Sequence, residues 1–114
     1  MKNIAETRRT RLLPAVAMTF VLASAGAASA QEQDKARIES GKQTFSEYCS
    51  TCHGENLISS GQIPDLRRLK VTDRPKFETT VTNGKNQMPP WKGVLNEQQI
   101  DGLWSYLRAN ALDK

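Results

Sequence analysis

CSTCH, residues 49–53, gathers both cysteines and the only histidine of a 114-residue chain into five positions. Three chemistries use such a cluster. A redox-active dithiol uses C-x-x-C, but at the start of a helix that follows a strand, where the helix dipole lowers the thiol pKa. Here the upstream pattern predicts that the cysteines end a helix, and no βαβ pattern surrounds them. A zinc site would take Cys49, Cys52 and His53 as three ligands, but adjacent Cys and His fit a tetrahedron poorly and no second Cys/His pair completes it. Covalent haem is the third. Two cysteines three apart reach the two vinyl groups on one edge of a porphyrin, and the histidine that follows sits under the iron. Cys49 and Cys52 are therefore expected to form haem thioethers, and His53 to be an axial ligand.

The first thirty residues read as a secretory leader. Lys2, Arg8, Arg9 and Arg11 form a basic start, Leu12 to Ala23 is an apolar run, and Ala28-Ser29-Ala30 is a small-x-small cleavage site before Gln31. The run is shorter than the ~20 residues a membrane span needs, which argues against a retained anchor. The arginine pair resembles a twin-arginine signal in part only and is read as incidental. The expected domains are thus a cleaved leader, 1–30, and one domain, 31–114. The chain has 16 basic and 12 acidic residues; the leader takes four and one of them, leaving 12 against 11. The high pI therefore belongs to the leader and is no argument for nucleic-acid binding. A domain this small has a marginal core and needs a staple, which one close-set cysteine pair supplies poorly as a disulfide.

With the leader removed, Met88 is the only thioether left, and there is no second histidine. Met88 sits in MPPW, where two prolines restrict a loop. A methionine there is a poor core filler and a good candidate for the second axial ligand.

The rest of the domain reads as helices and loops. Ile38, Gly41, Phe45 and Tyr48 mark one face of a helix expected to start at Asp34. A short turn is expected in PDLRRL, and a helix capped by Thr72, with Pro75 in its first turn, ending at Asn83-Gly84. Asn96 and Gln99 form a capping box for a last helix whose stripe is Ile100, Leu103, Trp104 and Leu107. No alternating strand pattern appears.

In order along the chain, the Gly41/Phe45 helix, CSTCH, IPDL, NGKNQMPPW and NEQQIDGLWSYLRAN resemble the class I c-type cytochromes over nearly all of residues 35–112. The resemblance implies an all-α, compact cytochrome c fold of three to four helices around one covalently attached haem c. It implies that the Pro64 carbonyl accepts a hydrogen bond from His53. It also implies that Gly41 and Phe45 meet Leu103, Trp104 or Leu107. The stretch from Leu66 to Met88 is short compared with mitochondrial-type members. Arg67, Arg68 and Arg74 are the nearest candidates to pair with haem propionates, unless they are plain solvated surface.

With His53 and Met88 both on the iron, no position is open for a substrate. The expected role is a non-enzymatic, periplasmic one-electron carrier. A gas sensor or peroxidase-like protein with a labile methionine is the alternative. Expected partners are a dehydrogenase-type donor, for example a quinoprotein, and an oxidase or cytochrome acceptor. Neither nucleic acid nor stable membrane insertion is expected, and the chain is expected to be a monomer. Lys85, Lys92 and Trp91 are candidates for a docking patch.

Overall fold

A computed structural model describes residues 24–59 and 61–113. Four α-helices carry the fold: α1, Ser24–Tyr48; α2, Ser50–His53; α3, Arg74–Asn83; and α4, Glu97–Ala109. Two 3-10 turns, Leu66–Arg68 and Val71–Asp73, lie between α2 and α3. Among the described residues the only β pairing is two isolated bridges, Lys85 with Met88 and Lys92 with Leu95. The described residues are all-α, as expected.

Helix α1 begins ten residues before Asp34, so Asp34 is not its N-cap. The Ala-, Gln- and Glu-rich stretch 25–33 has high helix propensity and carries the helix upstream. Asp34 instead lies 3.9 Å from Arg37 on the helix surface. The expected cleavage site, 28–30, falls inside α1, whereas the basic start and the whole apolar run lie outside the described residues. Residues 26–37 are exposed, and packing begins at Ile38.

From there α1 lies across α4. Gly41 is buried, and a methyl group placed on it would overlap the carbonyl oxygen of Gly102 and stand 2.9 Å from the amide nitrogen of Leu103. The two backbones touch with no side chain between them. The expected meeting with Leu103 is thus a backbone contact, and the residue directly opposite is Gly102. One turn on, Phe45 is 1% exposed and tilts against Tyr106, with ring centroids 5.6 Å apart.

Helix α4 follows its pattern closely. Asn96 Oδ1 accepts from Gln99 N at 2.8 Å, and Gln99 Oε1 accepts from Asn96 N at 3.0 Å. Leu103, Trp104 and Leu107 are buried, joined by Gly102 and Tyr106, while Ile100 is only half-buried. The Arg108 guanidinium in its last turn donates to the Leu69 carbonyl and to Asp113.

Thr72 does not cap α3. It lies in the 3-10 turn, and Asp73 takes the N-cap place, with its carboxylate accepting from Lys70 N at 2.8 Å. The aspartate stands nearer the helix start and closes the preceding turn. Pro75 fits the first turn, and Gly84 ends the helix at φ 73°, both as expected. Phe77 and Val81 are the buried face of α3, and Phe77 meets Trp104 with centroids 5.2 Å apart.

Candidate functional site

One turn of helix arranges the CSTCH side chains. Cys49 N donates to Phe45 O at 2.8 Å and His53 N to Cys49 O at 3.0 Å, so helical spacing continues across the break between α1 and α2. Cys49, Cys52 and His53 stand at i, i+3 and i+4 and share a face. Gly54, at φ 77°, stops the turn, and a methyl group on it would overlap the carbonyl oxygen of Ile58.

That face opens on a cavity of about 850 Å³, within the ~300–1,000 Å³ usual for cofactor sites. Cys49, Cys52 and His53 lie in its wall together with Pro64 and Met88, so the fold brings all five expected site residues to one cavity. Phe45, Phe77, Val81, Leu103 and Leu107 make much of the lining apolar. A smaller, open groove of about 400 Å³ between α3 and α4 is lined by the Arg74–Asp101 pair and other polar groups, far from this chemistry.

Each donor has a distinct setting. Burial, with a smaller effect from Cys52, pushes the Cys49 thiol up to about 11. A thiol held that high is protonated at neutral pH, which weighs against Cys49 as the attacking thiol of a dithiol. Burial lowers the His53 pKa and so favours the neutral imidazole, the form that binds a metal. His53 Nδ1 is buried with no hydrogen-bond partner. The bond expected from it to the Pro64 carbonyl is therefore not formed, although Pro64 stands in the same cavity wall. Among the described residues no three His, Cys, Asp or Glu side chains converge as a metal site, which disfavours zinc.

Met88 is held by its backbone. Lys85 N donates to Met88 O at 3.0 Å and Met88 N to Lys85 O at 2.9 Å, closing a turn that opens on Asn86 at φ 55°. Asn tolerates that left-handed conformation better than most residues. Trp91 N donates to Val81 O at 2.9 Å, tying the MPPW loop to the end of α3. The Trp91 ring meets Tyr48 edge-on, with centroids 5.5 Å apart. The methionine loop thus leans on the residue just before Cys49. Sequence reading found Trp91 only as a surface candidate; its sole local signal was an aromatic next to a proline pair.

The arginines stand elsewhere. Arg67 forms a two-pronged pair with Asp65, at 3.0 and 2.8 Å, and Arg74 reaches Glu78 at 2.8 Å and Asp101 at 2.7 Å. None of Arg67, Arg68 and Arg74 lines the cavity, whereas Lys76 and Lys85 do.

A half-buried imidazole that favours its neutral form, two thiols on the same face, a thioether and an apolar cavity are a donor set that fits a haem tethered on one edge. The family model described as "Cytochrome C oxidase, cbb3-type, subunit III" matches residues 36–107. The chain is a small class I c-type cytochrome. Cytochrome c6 of Euglena gracilis is 35% identical over 80 residues, covering 62% of this chain and 90% of that one. Cytochrome c-555 of Methylococcus capsulatus is 30% identical over 105 residues, 90% of this chain and 83% of that one. Quinohemoprotein alcohol dehydrogenase ADH-IIG of Pseudomonas putida is 34% identical over 86 residues, 74% of this cytochrome but only 12% of the enzyme. No solved structure matches. As a member of this family the cytochrome binds one covalently attached haem c and is a haem electron carrier. Among the described residues no helix is long and apolar enough to cross a membrane.

Proposed function

We propose that this cytochrome is a periplasmic one-electron carrier whose haem is held by Cys49, Cys52, His53 and Met88. One observation carries the reading: the CSTCH face and the pinned Met88 turn border the same apolar cavity. Haem bound there supplies an iron that alternates between the ferric and ferrous states. Cys49 and Cys52 would tether it through thioethers, and His53 and Met88 would fill both axial positions. Pro64 stands in the same wall as His53, and its carbonyl is the group proposed to orient the imidazole in the loaded protein, a bond this structure does not show. With both axial places taken, the chain's task is burial, ligation and exposure of one haem edge, which suits electron transfer better than catalysis.

The basic start, apolar run and small-x-small site support export and cleavage before Gln31. The similarity to part of a quinohemoprotein dehydrogenase supports a dehydrogenase-type donor. An oxidase or second cytochrome would be the acceptor. Lys92 and Trp91 beside the Met88 turn are the proposed contact patch.

The test is an absorption spectrum of protein matured with a haem-attachment system. The expected result is a sharp α band on reduction, colour that survives acid-acetone extraction, and a weak far-red methionine–iron band when oxidised. Covalent colour without the far-red band would remove Met88 and favour the sensor or peroxidase-like alternative. A colourless folded protein would overturn the haem assignment of these residues.

A further inference from the structure

A haem carries two carboxylates on the edge opposite its vinyl groups, and a site that buries the ring has to compensate them. Unpaired carboxylates in an apolar cavity are driven toward the neutral form or out to water. The lining of this cavity contains no aspartate or glutamate, and its cations are Lys76 and Lys85. Both are exposed to solvent and come from elements other than the CSTCH turn, Lys76 from α3 and Lys85 from the start of the Met88 turn. Thr80, one helical turn beyond Lys76, adds a hydroxyl to the same lining.

Lys35, Lys42, Lys70 and Lys92 lie outside the cavity lining, and the arginines are engaged elsewhere. Arg37 stands 3.4 Å from Asp101, Arg67 is paired with Asp65, Arg74 with Glu78 and Asp101, and Arg108 with Asp113. Arg68 reaches Asp65 only at 3.9 Å, but it is not part of the cavity lining. Among the described residues Lys76 and Lys85 enter no ion pair. Resting on the haem reading above, we infer that Lys76 and Lys85 are the counter-charges of the two haem carboxylates. Arg67, Arg68 and Arg74 are not. Through those carboxylates the two lysines raise the reduction potential, because a nearby positive charge disfavours the more positive ferric haem.

The experiment compares holoprotein variants K76M, K85M and the double variant with R67Q and R68Q. It reads the reduction potential and the redox-difference infrared bands of haem labelled with 13C at its carboxylates. Each lysine variant is expected to lower the potential, shifting the one-electron exchange equilibrium by about tenfold, ~59 mV. The labelled bands shift with it. K76R restores both, and R67Q and R68Q leave both unchanged. Should K76M fail to fold, K76Q serves in its place with the same expectation. Unchanged potential and bands in the lysine variants, or shifts confined to the arginine variants, overturn the assignment while leaving the haem reading standing. Wild-type protein that loses its colour in acid-acetone overturns both.

Discussion

The two ends of this molecule are built on opposite plans. Where α1 crosses α4, Gly41 and Gly102 bring backbone against backbone, and nothing can be inserted. Around the cavity, short turns and loops stand apart, with Leu66, Leu69 and Met88 only half-buried. The crossing is completed by the polypeptide alone. The other end is a wall whose apolar side chains face a space of about 850 Å³, and a cofactor completes its core. That division accounts for a small domain holding together without a disulfide framework.

Substitution at the crossing separates the two ends most sharply. Gly41→Ala forces the backbones apart, and overpacking of this kind costs about 3 kcal/mol. At ~4–8 °C per kcal/mol for a domain of this size, the melting temperature should fall by roughly 12–24 °C. Haem content and the far-red band of whatever remains folded should be unchanged. A melt like that of wild type would show that the helices can slide, and the comparison would fail.

Gly84→Ala tests the other end. Gly84 sits at φ 73°, and an added methyl would stand 2.6 Å from Met88 O. Strain at such a position is on the order of 1–3 kcal/mol. The expected result is a smaller loss of stability than at Gly41, together with a weakened far-red band, read by melting and by the oxidised spectrum. An intact band would detach the Met88 turn from its glycine support.

How far the sequence foretold this arrangement differs by region. CSTCH, the Asn96 capping box and the Asn83-Gly84 stop were legible because each is a local pattern with one geometric meaning. Met88 was legible as a candidate by elimination. Gly102 as the partner of Gly41 was not, because a contact between distant helices leaves no periodic trace in either. Leu57 lies in a stretch without helical periodicity, yet it is 1% exposed at φ 64°. Its left-handed backbone turns the side chain into the core against the local expectation for leucine. The start of α1 was misplaced because an aspartate that can cap a helix can also ride inside one. The cavity cations were missed since nothing in the sequence says which arginines are engaged by carboxylates.

Smaller effects sharpen the contrast. Asn96→Ala removes a cap far from the cavity and should cost about 1 kcal/mol without any spectral change. A change in the visible spectrum would couple α4's start to the haem end. The last is acid sensitivity at Asp65. The Arg67 hydrogen bond holds its carboxyl below the usual carboxylate range. A depressed folded-state pKa gives stability that is present above the unfolded value, about 3.9, and is lost as pH falls through the lowered folded value. Asp65→Asn keeps an acceptor for Arg67 N but loses the charge. Its melting temperature should lie slightly below wild type at neutral pH and converge with it in strong acid. Equal melting temperatures at both pH values would leave the Asp65–Arg67 pair without influence on stability.

The contact between Gly41 and Gly102 also bears on how fast the chain can fold. These residues lie close to opposite ends of the matched segment, 36–107, so their meeting closes most of the domain into a ring. Ring closure of that length must be achieved before the contact returns any free energy, and non-local contacts of this kind slow folding. A tether between the CSTCH turn and the cavity walls shortens the segments left to search.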